Sequence, residues 1–204
     1  MSELNRKNHW ENIYATKQLN EVSWYQPTPA TSLDFIEKLS VAKDAAIIDV
    51  GGGDGFLVDH LLKLGYTKLT VLDISKKAIE RAQKRLGKEA EKVTWMVSDV
   101  NDFKPTQKYD VWHDRAAFHF LNHPEEIKHY VNLVQDNLSK NGHLVMGTFS
   151  KNGPLKCSGI EITQYNPEDL KSVFLGLTLM EQQTIEHLTP FDTVQNFTFC
   201  WFKK

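Results

Sequence analysis

Short apolar runs alternate with amphipathic stretches along the chain from Ala46 onward. Each run is too short to be a helix, and the first is enriched in β-branched side chains, so it is predicted to be a buried central strand. The runs are Ala45–Val50, Leu69–Asp73, Val93–Val97, Tyr109–Asp114 and His143–Phe149. Strands that alternate with helices are typical of βαβ units, so we expect a parallel sheet covered by helices.

The stretches between these runs carry apolar side chains at helical spacing. They are Leu57, Leu61 and Leu64 after the first run; Ala78, Ile79, Ala82 and Leu86 behind Ser75 as a predicted N-cap; and Ile127, Val131, Val134 and Leu138 behind Pro124. We expect the last of these helices to end at Asn141 and Gly142. Another helix is predicted to start at residues 166–169.

The C-terminal stretch has a different character. Leu177–His187 and Thr193–Phe202 are long, rich in β-forming residues and joined by a turn region, which favours an antiparallel pair. Added to five alternating strands, this pair predicts a mixed sheet with one reversed strand near its edge. In open α/β sheets ligands bind outside the carboxyl ends of the parallel strands, so the candidate site is expected there.

The first predicted strand runs into the sequence DVGGGDG, in which Asp49 is followed by Gly51, Gly53 and Gly55. Glycine lets the backbone turn sharply and approach a ligand closely. A dinucleotide-binding G-x-G-x-x-G pattern would need glycine at position 56, where the chain has Phe56. A nicotinamide-dependent oxidoreductase is therefore disfavoured, although it stays open as an alternative.

Acidic residues also end the second and third predicted strands. Asp73 can accept hydrogen bonds from both hydroxyls of a ribose, and the alternative is a helix-capping aspartate. Asp99, in the sequence SDV, can accept from an adenine amino group, and the Val100 backbone can donate to the ring. Together these residues indicate an adenosine-binding crevice.

These motifs resemble those of the class I S-adenosylmethionine-dependent methyltransferases over essentially all of Ala45–Lys204. DVGGGDG is similar to the family's first motif, Val71–Asp73 to its second, SDV to its third and YDVWHD to its fourth-strand motif. The resemblance implies an α/β, Rossmann-like, doubly wound seven-stranded mixed sheet. Its strand order would be 3-2-1-4-5-7-6, with strand 7 antiparallel and helices on both faces. It also implies a single methyltransferase domain over residues 1–204, with the binding core in residues 45–204.

The same resemblance implies S-adenosylmethionine as the methyl donor and S-adenosylhomocysteine as its product. Carried over by position, it puts the donor's methionine part over Asp49, Gly51 and Gly53, its ribose on Asp73, and its adenine beside Ile74, Asp99 and Val100. Gly52 completes this set of donor-binding residues. The family often has alanine or cysteine at that position, so glycine is a mild departure.

Candidate residues for the acceptor follow the fourth strand in HDRAAFHFLNH. His119 is the candidate general base, because an imidazole with a pKa of about 6.5 can take a proton at neutral pH; a packing role is the alternative. Asp114 is predicted to contact the donor's methionine end or a cationic acceptor, and a salt bridge with Arg115 or a helix cap is an equal alternative. Arg115 and Phe118 are expected to face the substrate. The D-R pair resembles that of thiopurine-type and related small methyltransferases.

Residues 1–40 are expected to form a helical N-terminal segment that closes over the donor. The segment concentrates aromatic side chains, whose ring faces attract a sulfonium cation, and a hydrophobic strap on the sheet is the alternative. Its W-x(3)-Y and S-W-Y-Q elements resemble those of small bacterial methyltransferases. That resemblance favours a lid in which Trp24 and Tyr25 face the site.

Charge and cysteine content exclude several partners. The 204 residues include 24 Lys+Arg and 26 Asp+Glu, which gives no basic surface for nucleic acid or anionic membranes. The polar N-terminus, the lack of a long apolar run and two widely spaced cysteines favour a cytoplasmic protein with ordinary thiols. The four histidines at 113, 119, 123 and 129 have no acidic partner at ligand spacing, so no metal site is predicted.

The sequence thus favours an S-adenosylmethionine-dependent methyltransferase that acts on a small molecule, since no extra substrate domain interrupts the chain. The alternative within the same class is a protein lysine methyltransferase. Alternatives of other classes are the nicotinamide-dependent oxidoreductase and a cofactor-binding module that has lost catalysis.

Overall fold

A seven-stranded sheet forms the centre of the protein, whose computed structural model describes residues 3–204, with side chains from residue 6 onward. The strands along the chain are β1 (Ala46–Val50), β2 (Lys68–Asp73), β3 (Val93–Val97), β4 (Tyr109–Arg115), β5 (Leu138–Phe149), β6 (Lys156–Cys157), β7 (Ile160–Glu161), β8 (Thr178–Leu188) and β9 (Val194–Lys203). The large sheet has the order β3-β2-β1-β4-β5-β9-β8, and β6 and β7 form a separate hairpin.

The predicted topology is confirmed, with β8 and β9 as the sixth and seventh strands of the sheet. β1 lies at the centre, where Ile47 pairs in parallel with Leu69 of β2 and with Val111 of β4. β9 runs antiparallel to β5, so that Met146 lies opposite Cys200. The carboxyl ends of β1, β2, β3 and β4 therefore meet at one edge of the sheet.

Six α-helices surround the sheet: α1 (Glu3–Thr16), α2 (Ala30–Lys38), α3 (Leu57–Lys63), α4 (Lys76–Leu86), α5 (Pro124–Asn137) and α6 (Pro167–Val173). Two predicted helix starts are confirmed, because the side chains of Ser75 and Asn166 accept the capping hydrogen bonds of α4 and α6. The predicted end of α5 was wrong. That helix ends at Asn137, since Leu138 is already extended and pairs with Tyr109 of β4.

Alternation along the strands divides the core into two layers. Ile48, Trp112 and Leu144 pack on one face with α5 and α6, whereas Ile47 and Val111 pack on the other with α2, α3 and α4. Helices therefore cover both faces, as expected for a doubly wound sheet. Both layers are apolar and continuous, which holds the strand ends in fixed relative positions.

The N-terminal segment lies across the carboxyl edge of the sheet. In α1, the Glu11 carboxylate accepts hydrogen bonds from the backbone N–H groups of Lys76 (2.8 Å) and Lys77 (3.2 Å), at the positive end of α4. Arg81 of α4 in turn donates to the backbone carbonyls of Tyr14 (3.1 Å) and Lys17 (2.8 Å). These reciprocal contacts fix α1 above the ends of β1 and β2.

Across residues 3–204, the helices are all too short or too polar to span a lipid bilayer.

Candidate active site

The turn after β1 brings backbone close to its neighbours. Gly51 and Gly53 have φ angles of +67° and +54°, a region that side chains with a Cβ rarely adopt. A Cβ on Gly51 would lie 2.6 Å from the Ala117 Cβ, and one on Gly53 would lie 2.5 Å from the Tyr14 hydroxyl oxygen. The turn is therefore packed directly against the end of β4 on one side and against α1 on the other.

Two adjoining cavities open at this edge of the sheet. The first cavity lies over the ends of β2 and β3 and includes Asp73, Ile74, Asp99 and Val100 in its wall. The second lies over the glycine turn and the start of α3, and includes Asp49, Gly52 and His113. Both cavities share Tyr14, Trp24, Gly51 and Arg115, which form the partition between them.

The structure brings together the residues predicted for the adenosine part of a donor. Asp73 is 6% exposed, and one of its oxygens accepts a hydrogen bond from the Ser75 backbone N–H at 2.8 Å. Burial raises the pKa of Asp73 to about 7, and the nearby Asp54 carboxylate acts in the same direction. A ligand hydroxyl that donates to the ionised form would offset this desolvation.

Asp99 has an additional partner that the sequence did not suggest. Its carboxylate accepts from the backbone N–H of Asn101 at 3.0 Å and from Arg6 of α1 at 3.3 Å. Arg6 also binds Glu126 of α5 at 2.6 Å and lies in the wall of the first cavity. This bridge ties the start of α1 to the rim of the candidate adenine site.

In the second cavity, a buried hydrogen-bond chain holds Asp49. The His113 ring nitrogens lie 2.7 Å from Asp49 Oδ1 and 2.9 Å from Ser32 Oγ of α2. The other Asp49 oxygen faces Gly52, where a Cβ would lie 2.6 Å from it. Glycine at position 52 thus leaves room for the carboxylate, and His113 fixes the direction in which that carboxylate points.

An aromatic cluster, Trp10, Tyr14, Trp24 and Phe120, lines the first cavity. The Trp10 ring lies 5.8 Å from that of Trp24 and 5.2 Å from that of Phe120, both edge to face. Tyr25 lies instead in the second cavity, edge to face with Phe56 at 6.0 Å. The structure therefore places the predicted Trp24 and Tyr25 at the site, together with two α1 aromatics four positions apart.

The prediction that Asp114 contacts the donor or the acceptor was wrong. The side chain is fully buried beneath the turn, and it accepts from the backbone N–H groups of Ala117 (3.0 Å) and Phe118 (3.1 Å) and from the Tyr130 hydroxyl (2.5 Å). Burial raises the pKa of Asp114 to about 6, although the Tyr130 hydrogen bond opposes this. Its capping alternative is the one the structure shows.

His119 and Phe118 do not face either cavity, so their predicted roles as general base and substrate contact are also corrected. His119 is fully buried against Phe149, and burial lowers the pKa of its imidazole to about 3, which makes it a weak base. Phe118 packs against Tyr130 and Tyr165 in the core. In the short 3-10 turn Phe118–Phe120, the first two side chains are buried in the core, and only Phe120 lines the first cavity.

Within the described part of the chain, no three His, Cys, Asp or Glu side chains are grouped so as to hold an ion.

Known proteins share both sequence and architecture with the chain. A family model described as a methyltransferase domain matches residues 42–196. EEF1A lysine methyltransferase 2 of Danio rerio is 27% identical over 160 residues, which cover 71% of this chain and 69% of that protein. Nodulation protein S of Rhizobium tropici is 32% identical over 104 residues, which cover 51% of this chain but only 43% of that relative.

Two solved structures have the same architecture. The N-methyltransferase NodS from Bradyrhizobium japonicum WM9, in complex with S-adenosyl-L-homocysteine, gives a TM-score of 0.73 at 17% identity, and 98% of each chain is covered. An S-adenosylmethionine-dependent methyltransferase from Anabaena variabilis gives 0.73 at 16% identity, covering 98% of this chain and 95% of that one. At these identities the likeness concerns the fold.

Proposed function

The chain belongs to the methyltransferase-domain family of class I S-adenosylmethionine-dependent enzymes, and on that basis we propose that it methylates a small molecule in the cavities at the carboxyl edge of the sheet. When bound, S-adenosylmethionine supplies an electrophilic methyl group on a sulfonium sulfur. The remaining task of the protein is to hold donor and acceptor in line and to exclude water.

The residues of the first cavity fit the adenosine part of the donor. Asp73 offers a buried carboxylate to the ribose hydroxyls, and since burial raises its pKa to about 7, hydrogen bonds from a ligand would stabilise its ionised form. Asp99 and Val100 offer an acceptor and a backbone donor beside the adenine position, with Ile74 as an apolar wall. These assignments rest on the shape and chemistry of the cavity.

The second cavity fits the amino-acid part of the donor. Asp49, oriented by His113, presents a carboxylate suited to an ammonium group, and the positive φ angles of Gly51 and Gly53 let the backbone come close. The two cavities lie side by side and share four lining residues, so we propose that one extended ligand occupies both. The sulfonium would then lie near that partition.

The small-molecule assignment depends on the aromatic cluster of Trp10, Tyr14, Trp24 and Phe120. Trp10, Tyr14 and Trp24 all lie over the cavities, and α1 is anchored by Glu11 and Arg81. A covered, aromatic-lined cavity excludes water from a small acceptor, whereas a side chain on a folded protein needs an open rim. We propose that the N-terminal segment acts as the lid of the site.

His119, the predicted general base, is buried in the core and lines neither cavity. We therefore assign the rate enhancement to positioning and to water exclusion. This favours an acceptor atom that is already nucleophilic at neutral pH.

A protein lysine is the second candidate acceptor. It is favoured by the likeness to EEF1A lysine methyltransferase 2, which extends over 69% of that relative's length. For a protein side chain to enter, α1 would first have to move away from the cavities.

Two measurements test the proposal. Thermal unfolding with S-adenosylhomocysteine and with NAD identifies the cofactor, because a ligand at 100 times its Kd stabilises the fold by about 2.7 kcal/mol. Stabilisation by NAD alone would refute donor binding. Asp73→Ala should weaken S-adenosylhomocysteine binding, whereas Asp102→Ala, which removes an exposed carboxylate, is the matched control.

Labelled methyl transfer into separate metabolite and protein extracts then identifies the acceptor class. We expect label in the metabolite fraction with the wild type and none with Asp73→Ala. Label confined to protein would favour the lysine alternative. Tight donor binding with no transfer to either extract would identify a module without catalysis.

A further inference from the structure

Arg115 is a half-buried cation in the partition between the two cavities, and residues 6–204 place no carboxylate within ion-pair distance of it. Its Nη1 donates to the Trp24 backbone carbonyl at 3.2 Å, and its guanidinium lies 4.9 Å from the centre of the Phe197 ring. Nη2 is shielded from solvent and finds no hydrogen-bond acceptor among the described residues. A backbone carbonyl and an aromatic ring carry no net charge, so neither neutralises the guanidinium.

The other three arginines of the chain contrast with Arg115. Arg6 binds Glu126 at 2.6 Å, Arg81 binds Asp54 at 3.0 Å and Arg85 binds Asp59 at 2.7 Å. Those pairs join α1 to α5, α4 to the turn after β1, and α4 to α3. In residues 6–204, by contrast, no carboxylate lies within 4.0 Å of Arg115, although it is the arginine that lines both cavities.

Apart from Asp49, the titratable groups around Arg115 do not supply a negative charge. Burial raises the pKa of the Cys157 thiol to about 12, and burial together with Arg115 lowers the pKa values of His119 and His187. All three are therefore uncharged at neutral pH. Asp49 does influence Arg115, but it is hydrogen-bonded to His113. Burial lowers the pKa of Arg115 itself only to about 10, so it stays protonated.

The position of Arg115 in the sheet separates it from the adenosine residues. In the order β3-β2-β1-β4-β5-β9, Asp73 and Asp99 follow β2 and β3, whereas Arg115 ends β4 and contacts Phe197 of β9. A donor that occupies both cavities would have its sulfonium beside the partition that includes Arg115. The acceptor must approach the methyl group at that point, so Arg115 lies within its reach.

We propose that the methyl acceptor carries a carboxylate or phosphate group, and that Arg115 is the residue that binds it. The assignment rests on the proposed methyltransferase function. A guanidinium suits such planar or tetrahedral anions because it can donate two parallel hydrogen bonds. The donor's own carboxylate is the other possible source of the same chemistry, and the experiment separates the two.

Arg115→Met and Arg115→Lys are compared with the wild type. Methionine removes the charge at similar volume, and lysine keeps it without the planar fork. The binding probes are S-adenosylhomocysteine and 5′-methylthioadenosine, which lacks the amino-acid part. We expect both variants to bind both probes within about twofold of the wild type. Loss of S-adenosylhomocysteine affinity alone in Arg115→Met would assign Arg115 to the donor carboxylate and overturn the proposal.

For transfer, a metabolite extract is divided on an anion-exchange resin into bound and unbound fractions. The wild type should transfer labelled methyl groups to the bound fraction. With Arg115→Met the rate of this transfer should be about tenfold or more lower, and with Arg115→Lys it should lie between the two. Label in the unbound fraction, or an unchanged rate with Arg115→Met, would overturn the proposal. No label in either fraction would refute the proposed function, and with it this acceptor.

Thermal unfolding separates a binding role from a structural one. A cation whose ionic partner is the bound ligand contributes little to the stability of the ligand-free protein. Arg115→Met should therefore leave Tm unchanged or raise it. A clear fall in Tm would indicate that Arg115 holds the fold together and would count against an acceptor-binding role.

Discussion

Binding of the adenosine part of the donor should depend on the protonation of Asp73. The folded protein raises the pKa of this carboxyl to about 7 because it is buried, and the ribose hydroxyls can donate only to its ionised form with full strength. A ligand that binds the ionised form must release the proton when the pH is below that pKa. Affinity should therefore rise with pH.

The size of the effect follows from the ionised fraction. With a pKa of about 7, roughly a tenth of the molecules carry the Asp73 charge at pH 6 and roughly nine tenths at pH 8. The Kd for 5′-methylthioadenosine, which has no group that titrates in this range, should thus be about tenfold higher at pH 6. Asp73→Asn should bind about 10- to 150-fold more weakly at pH 8, equivalent to about 1.5–3 kcal/mol, and should show no such pH dependence.

Isothermal titration calorimetry in buffers of different ionisation enthalpy measures both the Kd and the protons released. Asp114, whose pKa is about 6, titrates nearby but lines neither cavity, so the Asn variant isolates Asp73. A wild-type affinity that stays constant from pH 6 to 8 would refute the reasoning. So would an Asp73→Asn variant that keeps the wild-type pH dependence.

The unliganded protein provides an independent check with a defined sign. Because the folded pKa of Asp73 lies above its unfolded value, this side chain stabilises the fold fully below about pH 4, and that contribution is lost as the pH rises through about 7. Urea unfolding between pH 5 and 8 should show this loss in the wild type and a smaller one in Asp73→Asn.

Three further substitutions test how the site is built. Asp114→Ala should lower the free energy of unfolding by about 3 kcal/mol or more, since two backbone N–H groups and the Tyr130 hydroxyl lose their acceptor. Urea unfolding measures this change. A variant that is as stable as the wild type but binds the donor poorly would contradict the prediction. Gly51→Ala should lower the free energy of unfolding by about 1–3 kcal/mol, because Gly51 has a φ of +67° and a Cβ there would lie 2.6 Å from the Ala117 Cβ. The expected result is a lower Tm, and an unchanged Tm would count against a tight turn. His119→Leu should leave the pH profile of kcat/KM unchanged, whereas loss of a basic limb would restore His119 as the general base.

Local patterns were sufficient to predict the strands β1 to β5 and the edge at which their carboxyl ends meet, whereas the full strand order and the donor residues were implied by the family resemblance. Apolar runs of strand length, separated by helical spacing, define β1 to β5, and parallel strands necessarily present their carboxyl ends at one edge. The residues just after those ends, such as Asp73 and Asp99, therefore had to lie together. Their shared cavity is a consequence of connectivity that the sequence already contains.

Residues in the turn after β4 were harder to place. Asp114 lies at the carboxyl end of β4, as Asp73 does in β2, and Phe118 and His119 follow soon after, yet all three are buried in the core. The Tyr130 hydroxyl and two backbone N–H groups turn Asp114 inward, and these partners lie on another helix or depend on the turn's own geometry. Periodicity does not report which way a short 3-10 turn faces.

The sequence alone determined the order of elements, the glycine turn and the carboxylates that follow β1, β2 and β3, because each of these is written in neighbouring residues. Only the tertiary structure decided what covers and completes the site. Arg6 reaches Glu126 across 120 positions, α1 brings Trp10 and Tyr14 over the cavities, and Arg115 is left without a counter-ion. Contacts between such distant segments depend on how whole helices and strands pack together. The spacing of apolar residues within one segment does not determine that packing.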